Sequence, residues 1–372
     1  DMDEWCEPFE EYPAAGCNFT VEPPDLSVTE VGFTSDHALH SFPSGTALDN
    51  PDGSAPTWKS SGNPDRPAAY TKGTNATIWA KLGISPSTPN FSAKIRVKNG
   101  STVIAGKDIT IGGSTITVTG LTTTSALEST VKKTTPTFTW ELSYDGGNSW
   151  SSIGNTGPHK MFWTNATPLS PSFRGDDGFE YSTLYDIAVQ RAVEYSNGAS
   201  TVGTIATAIN LGVEDDTEYD PNQSIASIHP LFGFIGLSPG VDGIQCSDEA
   251  ELLRGLLRSI GINGTVKYIW AGSSSTNITQ YTIGTTGLTF PSFRLIRAAN
   301  DAAPLNPHFR FHAVVDISST WYDPSYGLEY SSLSFNETAN NNTPQQVHSS
   351  RWTPPATQSA FACGHTGIGG QQ

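Results

Sequence analysis

The chain has 372 residues, enough for two or three domains that each bury a core. Its 20 Lys and Arg against 36 Asp and Glu give a formal charge of −16, which argues against nucleic acid and anionic membranes as partners. No apolar run reaches the ~18 residues needed to span a bilayer, and the low charged fraction of 15 % with only two methionines is the balance expected of an exported, β-rich protein.

Residues 1 to 60 are rich in Pro, Gly, Ser and acidic groups with little periodicity, and are expected to form an extended N-terminal arm. Cys6 and Cys17 lie in this arm, where a disulfide between them would close a short loop worth about 3 kcal/mol and would fit an oxidising compartment. Asp1 stands where an initiator Met would, so a processed chain at an extracellular or cell-surface location is expected. His37 and His40 lack a third ligand nearby, and no metal is expected there.

Between residues 61 and 165 the pattern changes to short alternating runs such as ATIWAKLGI, FSAKIRVKN and STITVTGL, broken by Gly, Asn and Pro. Several short strands at this spacing predict a β-sandwich domain of immunoglobulin-like architecture. Tyr144 to Trp150 reads as a hairpin turn that returns Trp150 to the core.

Residues 166 to 330 read as an α+β domain. One helix is predicted over 182–197 with Ser182 as its cap, and a second over 201–212. The acidic run EDDTEYDPNQ, 214–223, could hold Ca²⁺, although a solvated loop is the plainer reading; no other cofactor is implied. The stretch GVDGIQCSDEAELLRGLLRSIGING, 240–264, then places Cys246 at the start of a helix. Leu252, Leu253, Leu256, Leu257 and Ile260 recur at helical spacing, Glu251, Arg254 and Arg258 fall on a wet face, and Gly261 supplies a left-handed cap. A thiol at a helix N-terminus has free N–H groups and the dipole beside it, which stabilise thiolate and can cradle an oxyanion. Asp248 and Glu249 oppose that thiolate, so a basic partner is required.

Residues 308–327 read as a β-hairpin. A loop centred on Ile317 and Ser318 would set His312 directly across from Asp323, so that the carboxylate holds one imidazole nitrogen and leaves the other for a thiol. Trp270 and Trp321 are candidate walls of a cleft, and Gln245 a weaker candidate oxyanion donor. Residues 331–372 form a polar tail.

Gln-Cys-Ser-Asp-Glu-Ala with its following Leu-Leu and Gly-Ile, then Phe-His-Ala-Val-Val, then Trp-Tyr-Asp-Pro-Ser-Tyr-Gly, together resemble the transglutaminase-like cysteine enzymes of the papain-like superfamily. The resemblance covers roughly residues 180 to 330. It implies Cys246 as nucleophile, His312 as general base and Asp323 as orienting carboxylate. Many relatives carry Trp two residues after the histidine, where this chain has Val314. It also implies hydrolysis of peptide or glutamine amides, or acyl transfer, through a thioester. The alternative is a structural or adhesive surface protein, a filament subunit that keeps the fold as a scaffold and assembles with copies of itself.

Overall fold

The computed structural model describes residues 23–34, 36–48, 55–62, 64, 66–174, 180–217, 246–271, 280–283, 288–291, 311–325, 327–330, 334–335 and 347–348. Cys6, Cys17, Gln245, Cys363 and the acidic run beyond Thr217 lie outside the described residues. The fold is strand-rich. Three helices occur among the described residues, gathered in the C-terminal half.

The N-terminal strands are β1 (Asp25–Thr34), β2 (Trp58–Lys59), β3 (Ala68–Thr71), β4 (Thr77–Asn99), β5 (Thr102–Thr122), β6 (Lys132–Thr134), β7 (Phe138–Ser143), β8 (Ser151–Thr156) and β9 (Met161–Thr164). β4 and β5 form one long hairpin whose turn contains Gly100 at φ +60. β1 and β7 share the other edge of β4, β1 along Thr77–Ser85 and β7 along Lys94–Asn99. Register shifts between Gly83 and Phe91 break the hairpin where its neighbour changes, as bulges do where a strand bends. β8 pairs with β7 and runs close to β1, so the sheet nearly closes on itself. Inside it lie Val31, Phe33, Ile78, Leu82, Ile95, Val97, Phe138 and Trp140.

Residues 25–34, expected within an extended arm, are therefore a sheet strand. Their Val28, Val31 and Phe33 supply the alternation that the polar composition around them hides. Trp150 also differs from expectation: it stays half-buried outside the core, with the Arg96 guanidinium 4.1 Å above its ring.

A second sheet, β3-β9-β6, has β3 and β9 parallel and β6 antiparallel to β9. Its alternate residues enter different cores. Ala68, Tyr70, Met161 and Trp163 join the N-terminal core, whereas Ala69 and Phe162 join a C-terminal one. Burial on both faces explains why MFW and AAY are unbroken apolar runs.

The C-terminal core packs α1 (Asp186–Tyr195), α2 (Val202–Asp216) and α3 (Cys246–Ser259) with an antiparallel sheet. The short strands β10 (Phe173–Arg174) and β11 (Glu180–Tyr181) precede the helices, and β12 (Thr265–Ala271), β13 (Gln280–Ile283), β14 (Leu288–Pro291), β15 (Phe311–Ile317), β16 (Thr320–Asp323) and β17 (Leu328–Tyr330) follow in the order β14-β13-β12-β15-β16-β17. Helix α1 begins four residues later than expected and without a Ser182 cap. His40 takes up the backbone there, donating its N–H to Leu184 O at 2.9 Å and accepting from the Asp186 N–H at 2.9 Å. Thr201 and Thr204 cap α2 reciprocally.

Gly255, inside α3, is required by contact: a Cβ there would fall 2.1 Å from the Phe173 ring. Alanine gains about 1 kcal/mol of helix propensity over glycine, whereas forcing a methyl group into a filled site costs about 1–3 kcal/mol. The clash wins, so G255A is expected to lower the urea midpoint, and F173A in the same chain to recover part of the loss that G255A adds.

Candidate functional site

The apolar spacing of α3 faces the core as the sequence predicts: Leu252, Leu253, Leu256, Leu257 and Ile260 are fully buried. Each such side chain contributes about 1.5–3 kcal/mol. The wet face narrows to Arg254 and Arg258, which stay partly exposed. Asp248, Glu249 and Glu251 are buried as well, because α1 and α2 flank the helix, β15 and β12 lie beneath it, and β10 crosses it at Gly255. The Arg254 guanidinium meets Glu251 at 2.9 Å, so that pair enters the interior compensated.

The far end of α3 closes as expected. Gly261 has φ +84, the Ile262 N–H donates to Leu257 O at 2.9 Å, and the Gly261 N–H donates to Arg258 O at 3.1 Å. Arg258 Nε donates to Pro171 O at 2.7 Å, and the Leu169 N–H donates to Arg258 O at 2.9 Å. This loop fixes the helix axis.

Cys246 is the first residue of α3. The backbone of His312 is the second residue of β15 and pairs with Ile269 of β12. Asp323 ends β16 and is 0 % exposed. The side chains of Cys246, Trp270 and His312 lie outside the described residues. Trp321 is half-buried against the C-terminal core.

The hairpin register differs from expectation by two residues. Val315 pairs with Tyr322 and Ile317 with Thr320, so the loop is Ser318-Ser319, both at positive φ (52 and 68), as a two-residue type I′ turn demands. Carried one rung on, this register sets Asp323 across from Val314. Position 312 is therefore diagonal to Asp323, at the wider spacing of about 7–8 Å between backbones that long side chains still bridge. The reason is local: a two-residue loop needs the left-handed conformation at both positions, which Ser318 and Ser319 adopt and the β-branched Ile317 resists.

Sequence reasoning missed the group that joins helix to hairpin. Glu249, one turn into α3 and 1 % exposed, accepts from Ser325 Oγ through Oε2, and its Oε1 lies 3.2 Å from Thr217 Oγ1 at the end of α2. Burial is the main cause that pushes its carboxyl up to about 8; the two hydroxyl contacts pull the other way, and the negative charges of Asp323 and Glu214 add to the rise. Near neutral pH this side chain is mostly a neutral acid. The opposition to a Cys246 thiolate expected from Glu249 is then largely removed. No helical spacing could have found a partner 76 residues away.

Among the described residues no three His, Cys, Asp or Glu side chains gather at metal-ligand spacing. His37 is mostly buried, its Nε2 3.2 Å from Thr71 Oγ1 and 3.3 Å from Thr164 Oγ1, and burial holds its imidazole down at about 4. It is neutral at physiological pH. Among the described residues no helix is long and apolar enough to cross a membrane.

No family model matches the chain, and no curated protein matches it. Among solved structures, the transglutaminase of red sea bream is similar at a TM-score of 0.34 and 12 % identity, over 69 % of this chain and 49 % of that one. The chain thus spans about half the length of that protein, and the likeness is distant.

The raised carboxyl of Glu249 has a consequence for stability. The folded protein holds a proton that the unfolded chain releases near the ordinary value of 4.5, so this group's contribution to stability falls as pH rises from about 4.5 to about 8. E249Q, which has no such proton, is expected to flatten that fall in denaturation midpoints measured across the window; an unchanged slope would contradict the burial argument.

Proposed function

We propose that the chain is an exported, cysteine-dependent, transglutaminase-like enzyme acting on peptide or glutamine amides. The observation that supports this most is the meeting of three elements. Helix α3, which begins at Cys246, packs on β15, which carries His312, and the hairpin partner β16 ends in the buried Asp323.

In this reading His312 takes the Cys246 S–H proton and the thiolate sulfur adds to the amide carbonyl carbon. The N–H groups at the start of α3 stabilise the oxyanion. As the C–N bond breaks, the imidazolium gives its proton to the departing amine and a thioester remains. Water or a second amine then attacks the thioester while His312 takes its proton. The thiol is regenerated, and the product is an acid or a new amide. Asp323 holds the imidazole in the tautomer that leaves a free nitrogen toward sulfur. The strands before residue 166, with their proposed immunoglobulin-like role, position protein substrates and take no part in the chemistry.

Iodoacetamide is expected to alkylate Cys246 with an apparent thiol pKa well below the ordinary value of about 8.5, and H312A to lower turnover of a glutamine peptide by about a hundredfold or more. A Cys246 that reacts as a free cysteine does, with or without His312, would overturn the proposal.

A further inference from the structure

We infer that Glu249 is a positioning residue whose carboxyl group ties the first turn of α3 to the Asp323-Pro324-Ser325 turn and to the end of α2. The inference rests on the reading of Cys246 and Asp323 as catalytic. Glu249 lies three residues after Cys246, a rise of about 4.5 Å along a helix, and Ser325 lies two residues after Asp323. One side chain therefore spans the start of the nucleophile's helix and the strand end that carries the orienting carboxylate.

Thr217 has one hydroxyl hydrogen and two acceptors in reach, Val213 O at 2.7 Å and Glu249 Oε1 at 3.2 Å, so its hydroxyl joins the end of α2 to the carboxyl of Glu249. The charges that act on the group from neighbouring elements, Asp323 at the end of β16 and Glu214 on α2, are both acidic and favour its neutral form. Ionised, Glu249 adds a further negative charge beside them, and like charges repel. Protonated, Glu249 joins the two elements; ionised, it drives the Asp323 turn away from the helix.

This fits an otherwise awkward local sequence. An acid beside a nucleophilic thiol is a poor choice as a charge, yet a good one as a donor and acceptor with two oxygens set to face two hydroxyls. Glutamine keeps that shape, one acceptor and one donor, without the ionisation. Alanine leaves Ser325 and Thr217 without the bridge.

The test uses the full chain as wild type, E249Q, E249A, S325A and H312A, with the rate of Cys246 alkylation by iodoacetamide followed between about pH 6 and about pH 9. E249A and S325A are expected to slow alkylation at neutral pH by about tenfold and about threefold, the scale of a misplaced supporting group. E249Q retains most of the wild-type rate but loses the inflection that ionisation of Glu249 adds near pH 8. S325A removes only a hydroxyl, so it reports on the tie even where E249A fails to fold. If wild-type reactivity depends on His312 while E249A, E249Q and S325A match wild type in rate and profile, the tie is wrong and the proposed function stands. If wild-type reactivity is that of a free cysteine and does not respond to H312A, both fall.

Discussion

Everything in the C-terminal half depends on α3 being buried over most of its surface, its acidic first turn included. An apolar helix face can pack in many ways, since dispersion and area burial are indifferent to small rotations. Glu249, Asp323 and Ser325 are not indifferent. Once a carboxyl group is withdrawn from water, its hydrogen bonds must be met by specific atoms, and losing one costs about 1–3 kcal/mol. The hydroxyls of Ser325 and Thr217 meet that demand from two different elements. They set the rotation of α3 against the Asp323-Pro324-Ser325 turn and the end of α2, which its leucines alone would leave loose.

The double-faced sheet β3-β9-β6 supports this through α1, which packs on β9 and β6. Phe162 and Ala69 face the helices while Trp163 and Tyr70 face the N-terminal core, so a shift of this layer disturbs both cores at once. Phe162 and Val131 lie among the side chains that α1 and α3 bury. The close approach of Phe173 to Gly255 adds a third restraint, on the helix from its outer side. The body of α3 is therefore held by packed elements on several sides, and its first turn by the hydroxyls of Ser325 and Thr217.

What the residues disclosed beforehand follows the range of the interaction. The leucine spacing of α3, the left-handed Gly261, the helix that starts near residue 201 and the strand character of Phe311 to Ile317 are local properties, and each stands close to where the chain pattern sets it. Three features were hidden for one shared reason, that a distant partner decides them. His40 moves the start of α1 by pairing with the backbone around Tyr185. Burial of Glu251 follows from neighbours that its own helix does not name. The polar setting of residues 1–60 concealed β1, whose place is fixed by the edge of β4. The hairpin register was a finer matter of turn chemistry, since a shift of two residues preserves the face of each side chain and so leaves no trace in the alternation. Cys246, His312 and Asp323 stand out in the sequence as a proposed constellation by their order and their elements, whereas the buried carboxyl of Glu249 has no such signature.

The central claim is that the sulfur of Cys246 accepts an acyl group with help from His312. Its most direct test is a rapid-mixing experiment with a nitrophenyl ester, followed by peptide mapping of the quenched protein. The account predicts a burst of nitrophenolate close to one equivalent per chain, with the acyl group recovered on the peptide that contains Cys246, and no burst from the H312A chain. A wild-type chain that shows no burst, or carries the acyl group on some other residue, would contradict it.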